Sequence, residues 1–449
     1  MQVVHARTSL YLIPSAFPSV KDIRLNNSTL GDGALFTMLS IQPSCSVSSL
    51  RLGFSRMEPN VVDVAAAALA RLPSLELLQL DSYVSARLAS RLTGLTSLGA
   101  VLGDDTVSSA KELRRILDRN ARLECLAVDT SNRTVPGECL RLLLTSHAKL
   151  RELDLTNLTL NDQGMDVLLQ HGTNIQQLAL GSADLTRSWA SSTAGWQRLK
   201  LMSVGIVTQL AHLPLSSVQV LETRHAAGTL PLGLTASGPA VERLRQAISN
   251  LLTCPAWQQQ PASRVLLFNH GAVAVPSSQR TQLLSALAPL SGPHIQHLSL
   301  SLNMGVGRVE VEALAQSLGG HLTSLYLHRG NIQPSFWPAL SEHFPHLKRL
   351  AVGSGVYVAA HGIVAYLRTV AQPFTLCMAG SSDELEDCVA AWQLHGVTVS
   401  LPSPAEEFEF KGVLDSGSIL VHPSDEDEDE EEEEEEEDEE IDYSDEIYY

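Results

Sequence analysis

The sequence predicts an α/β solenoid, with a parallel sheet lining the inside of an arc and helices along its outside. Three observations carry this: a repeated apolar pattern, the spacing of its copies, and the prolines that punctuate them. Four stretches align without gaps, starting at Val20, Leu150, Leu322 and Leu347, and each reads LxxLxLxxxxL, as in Leu150-Arg-Glu-Leu153-Asp-Leu155 running on to Leu160. Further copies, some degenerate, start at Val47, Leu75, Leu95, Leu123, Ile175, Trp196, Leu215, Ala262, Ile295 and Phe374, which makes 14 units. Self-similarity at such a period is the mark of a stacked repeat architecture.

Each element follows in turn. The LxLx core alternates apolar and variable residues, the period of a strand with one buried face. Most starts lie 25 to 28 residues apart, which leaves room for a helix of about three turns after each strand. Apolar residues recur at helical spacing over 61–72, 108–120, 136–147 and 161–170, with Pro136 suited to a first turn and Asn161 placed to cap. Proline ends the helix and starts the extended segment in Phe17-Pro-Ser-Val20, Leu72-Pro-Ser-Leu75 and Phe344-Pro-His-Leu347. Strands stack about 4.8 Å apart and helices need roughly 10 Å, so the stack bends toward its strands. The leucines point between the layers, where no single unit can bury them alone.

These residues resemble the leucine-rich-repeat family over most of 20–380, and the spacing is similar to its ribonuclease-inhibitor and F-box-associated classes. The resemblance implies an α/β horseshoe that binds a protein partner on its concave face, without catalysis. Residues 1–401 form the solenoid in this reading, 402–423 a linker and 424–449 a polyacidic tail. One interval, Leu215 to Ala262, stretches to 47 residues and is expected to hold an insertion near 222–261, with a Gly/Pro-rich run over 226–239 and a helix over 241–252. Met1 to Tyr11 reads as the remains of a further unit.

Charge divides the chain in two. Ser424 to Tyr449 holds 19 of the 50 acidic residues and none of the 31 Lys and Arg, so residues 1–423 are neutral and the tail carries the whole net charge of -19. A neutral body lacks the basic footprint of a nucleic-acid binder. The unbroken acidic run 425–440 is expected to stay extended and disordered, and to attract a basic protein surface or only to solubilise. The six cysteines make no CxxC pair, and residues 1–18 lack the pattern of a secretory signal. With no apolar run of about 18 residues, no membrane span is expected, and the reading is a reduced cytoplasmic protein, with the nucleus open as an alternative.

No phosphate loop, metal helix or nucleophile elbow occurs, and the HxxH pairs His294/His297 and His343/His346 straddle helix-to-strand turns. Neither cofactor, metal nor catalytic residue is assigned. The third, fifth and seventh positions of LxxLxLx line the concave face. They predict a carboxylate group of Asp129, Glu152 and Asp154 near the middle of the arc, and a cluster of His297, Tyr326, His328 and Arg349 toward its end. Arg198, Lys200, Met202 and Leu221 lie between them, followed by Leu266 and Phe268, expected as exposed apolar contacts. Two other layouts remain open: the substrate receptor of an F-box-type ubiquitin ligase, and a Ran GTPase-activating or acidic nuclear leucine-rich regulator, which share the repeat length or the acidic tail.

Overall fold

The computed structural model describes residues 106–130, 137–203, 206–225, 227–234, 239–269, 275–357, 360–370, 373–378 and 397–400, and before them 21–25, 47–52, 67–68 and parts of 72–102. The expectations for Met1–Tyr11, for the linker and for the acidic tail lie outside these residues.

Every described strand pairs in parallel with the strand before or after it in sequence, as one strand per repeat requires. The first sheet has nine strands in sequence order: β1 Asp22–Leu25, β2 Ser49–Leu52, β3 Leu77–Leu80, β4 Ser97–Leu102, β5 Cys125–Thr130, β6 Glu152–Asn161, β7 Gln177–Asp184, β8 Arg198–Leu201 and β9 Val220–Thr223. The second has seven: β10 Thr229–Leu234, β11 Arg264–Asn269, β12 His297–Val306, β13 Ser324–Ile332, β14 Arg349–Tyr357, β15 Phe374–Met378 and β16 Val397–Ser400. The register aligns the repeat leucines, for example Leu126 with Leu153, Leu153 with Leu178, and Leu178 with Leu199. The final leucine of the motif also packs inward. β6 and β13 run on past a register shift, which brings Leu160 and Ile332 into the core.

The helices form the outer layer: α1 Thr106–Arg119, α2 Gly137–Ser146, α3 Asp162–His171, α4 Ile206–His212, α5 Ala240–Leu252, α6 Pro255–Gln259, α7 Ser277–Ser285, α8 Arg308–Leu318, α9 Phe336–His343 and α10 Ala360–Leu367. The apolar spacing that marks them is the spacing that is buried: Leu113, Ile116 and Leu117 on α1, and Cys139, Leu140, Leu143 and Leu144 on α2. Asn161 caps α3 as its position predicts, its Oδ1 accepting from the Gly164 N–H at 2.8 Å. A second asparagine ties the two ends of one unit together. Buried Asn120 Oδ1 accepts from Leu95 N–H and its amide donates to Ile116 O, both at 2.9 Å, so the end of α1 is tied to the turn that leads into β4.

The interval read as an insertion is a correction. It contains a strand, β10, that pairs with β11 and opens the second sheet, so it adds a repeat and also breaks the sheet. Gly228, just before β10, has φ +79°, a conformation that disfavours any side chain. The helix layer bridges the break. α4 packs against both α5 and β10, and Asn250 on α5 donates to Leu210 O and Leu213 O at the end of α4, each at 2.7 Å. α6 spans the same junction: Ala256 N–H donates to Val218 O beside β9, while the Trp257 ring meets His294 edge-on at 6.2 Å. The register at β9 is a second correction. Leu199 pairs with Leu221, so the unit begins at Val218 and not at Leu215, and Leu221 packs against the core while Val220 and Glu222 take the concave positions.

Candidate functional site

The concave face consists of the side chains that alternate with the repeat leucines, and its two sheets differ sharply. On the first sheet, Ala127, Asp154, Ala179, Lys200 and Glu222 lie side by side across β5–β9, all half-buried or exposed. The row beside it, Ser97, Cys125, Glu152, Gln177, Arg198 and Val220, is equally open, with Val220 39 % exposed. Its polar members form a ladder. Gln177 Nε2 donates to Glu152 Oε1 at 2.6 Å, Arg198 Nη1 to Gln177 Oε1 at 3.4 Å, and Arg198 Nε lies 3.6 Å from Glu222 Oε1. Cys125 continues it. Burial first, and then the hydrogen bond and negative charge of Glu152, push its thiol up to about 12, which keeps it protonated as a donor.

The three predicted carboxylates do share this face, on neighbouring strands, and each has its own partner. Asp129 Oδ2 accepts from Asn157 Nδ2 at 3.0 Å, Glu152 belongs to the ladder, and Asp154 Oδ1 accepts from the Thr156 N–H at 2.9 Å. They do not converge on one point. Among the described residues, no group of three or more His, Cys, Asp or Glu is placed to hold a metal ion, and no helix is long and apolar enough to cross a membrane.

The second sheet carries the other predicted cluster. Pro231, Leu266, Ser299, Tyr326, Ala351, Cys377 and Ser400 form one row across β10–β16. Leu266, Phe268, Tyr326, Ala351 and Cys377 make a hydrophobic cluster of their own at 0 to 6 % exposure, separate from the core between sheet and helices. The expectation that Leu266 and Phe268 are exposed is therefore wrong: the centre of this face is buried, while the row beside it, Arg264, His297, Ser324 and Arg349, is half-buried. The helices cannot be what covers it. They place Leu244, Leu284, Leu314, Leu340 and Ile363 in the first core, against Val265, Leu267, Leu298 and Leu325 on the opposite side of the strands.

His297, Tyr326, His328 and Arg349 all lie on this face, around that cluster. The Tyr326 and His328 rings meet edge-on at 6.0 Å, Ser301 Oγ lies 3.3 Å from His328 Nδ1, and Arg349 Nη2 lies 3.3 Å from Cys377 Sγ. Burial, with Arg329 adding to it, pushes His328 down to about 4, so it is neutral at pH 7. Buried packing is what the sequence offers for Cys377 by default, and it is buried here; sequence reasoning passed over Ala351 in the cluster and the buried Ser299 and Ser301 beside it. The same alternation rule finds them.

No family model matches the chain, and no curated protein does. Solved structures similar to it include the leucine-rich repeat-containing protein LegL7 from Legionella pneumophila, at 17 % identity over 78 % of this chain and 97 % of that one, with a TM-score of 0.32. A chain of the yeast Rad7 and Elc1 complex is 14 % identical over 84 % of this chain and 92 % of its own, at 0.33. A leucine-rich repeat protein from Bacteroides eggerthii is 10 % identical over 85 % and 65 %, at 0.34. This chain has the leucine-rich-repeat fold. At TM-scores this far below 0.5 the superpositions fix neither curvature nor surface, and the fold stands on the leucine register and the parallel order of the strands.

Proposed function

We propose that this leucine-rich-repeat protein is a non-enzymatic scaffold that holds a protein partner against the open concave face of β4–β9. The observation that carries the reading is the ladder from Cys125 through Glu152, Gln177 and Arg198 to Glu222, an accessible polar row whose side chains are already held by one another. Side chains ordered before binding lose little freedom on binding, which leaves more of the contact energy as affinity. Both signs of charge are present, so the partner surface that fits is itself mixed, with bases opposite Glu152 and Asp154 and acids opposite Arg198 and Lys200. The acidic residues 424–449 add a salt-screened attraction for a basic patch on the same partner.

The test is affinity capture with the full chain and two charge-reversed variants, Glu152→Lys with Asp154→Lys and Arg198→Glu with Lys200→Glu. Captured partner falls at least tenfold for one or both while the urea midpoint stays in place. Capture unchanged in both folded variants refutes the face as the interface. Removing 424–449 lowers capture at low salt and leaves it unaltered at high salt; equal capture at both assigns the tail to solubility alone.

A further inference from the structure

We infer that the concave face of β10–β15 is a docking site for the chain's own segment 402–423. This concerns the second sheet only, and it holds or fails independently of what the first sheet captures.

The inference begins from burial inside a single chain. A sheet with helices on one side leaves its other side to solvent, and its strands then alternate in burial, as β6, β7 and β8 do. β10 and β11 do not alternate: Leu230 to Leu234 and Val265 to Phe268 are buried at every position. No second copy and no partner is needed for this, because the side chains are shielded within one chain. Arg264, His297, Tyr326, His328 and Arg349 around the apolar centre each have a bonded, ionic, ring or electrostatic partner as well.

The chemistry of the face selects the segment. Its centre is apolar and aromatic, and its first row across β11–β14 reads Arg264, His297, Ser324, Arg349, with no acid among the concave residues of these strands. A matching occupant is apolar and acidic by turns. Residues 406–410 read Glu-Glu-Phe-Glu-Phe, and Val413, Leu414, Ile419, Leu420 and Val421 follow, with Lys411 as the one Lys or Arg between 402 and 423. An extended Glu407-Phe408-Glu409-Phe410 directs its two phenylalanines to one side and its two carboxylates to the other.

Connectivity points the same way. β16 pairs Ser400 with Cys377, so the chain leaves the sheet at the end of the buried row. From there back to β11 is four or five strand spacings, on the order of 20–25 Å. Twenty-odd residues reach roughly 70 Å when extended, so the segment can cross the face with length to spare. A tethered segment also meets the face at an effective concentration no free ligand matches.

Thiol chemistry reads the cover directly, because Cys377 lies on the concave face while Cys139 and Cys254 lie in the core beneath the helices. In the full chain, Phe408→Asp with Phe410→Asp raises the alkylation rate of Cys377 by N-ethylmaleimide at least tenfold, mapped by peptide mass, and leaves Cys139 and Cys254 protected. If the variant exposes all three thiols together it has unfolded. The milder Glu406→Lys, Glu407→Lys, Glu409→Lys chain then decides, with the same selective rise at Cys377 expected. Cys377 still protected in folded chains of both variants overturns the inference. So does protection that fades on dilution of the wild type, which assigns the cover to a second copy.

Discussion

β6–β8 and β10–β13 are built from the same inward leucines at the same spacing, and they differ in what points the other way. On the first sheet those positions hold Glu152, Asp154, Gln177, Arg198 and Lys200, which are accessible and bonded to one another. On the second they hold Leu266, Phe268, Tyr326, Ala351 and Cys377, which are buried in a second core. The repeat thus specifies one face of each strand and leaves the other free. One half of the arc uses that freedom for a polar surface, the other for packing. The division falls where β9 and β10 fail to pair and α4, α5 and α6 hold the two sheets together through the helix layer.

Matched substitutions in the same row break the comparison first. Leu266→Asp places a carboxylate in the second core and costs about 4 kcal/mol of stability, whereas Ala179→Asp on the first sheet costs less than about 1 kcal/mol. Urea unfolding midpoints measure both, and equal losses would mean that the two faces are equally solvated. The junction comes next. Asn250→Ala leaves the carbonyls of Leu210 and Leu213 without their donor and costs about 2–3 kcal/mol in the same assay.

A smaller effect appears in the pH dependence. His328 takes up its proton near the ordinary histidine value of 6.5 when unfolded and only at about 4 when folded. As pH falls through that window the unfolded chain binds the proton first, so stability is constant above about 6.5, declines down to about 4, and levels off below. His328→Asn flattens the decline in a thermal-melt series, and an unchanged slope would place the histidine in water. The smallest effect belongs to the ladder. Gln177→Ala changes stability by less than about 0.5 kcal/mol, because its bonds are at the surface and water replaces them.

Much of this was legible in the sequence, for a physical reason: LxxLxL enforces both the strand and the side of the sheet its leucines occupy. The strands at Leu150, Leu322 and Leu347, the cap at Asn161 and the concave placement of Glu152, Asp154 and Tyr326 all follow from that one alternation. Where apolar residues stand at variable positions the pattern loses its phase. The apolar run Leu213-Pro214-Leu215 before Val218 offset the β9 register, and the consecutive apolar residues of Thr229–Leu234 concealed a strand inside a presumed loop. Val397–Ser400 is too short to stand out without its pairing to β15. Burial of the second concave face could not be read from β11–β15 at all. Alternation only reports which face a side chain is on, not how far that face is buried.

Hydroxyl-radical footprinting of the intact protein tests the contrast between the sheets most directly, with each side chain's oxidation rate divided by its rate in the unfolded chain. Phe268 and Tyr326 should be protected as strongly as the core residues Phe336 and Trp337, and at least tenfold more than Val220 and Met202 on the first half of the arc. Protection of Phe268 and Tyr326 no greater than that of Val220 would contradict the account.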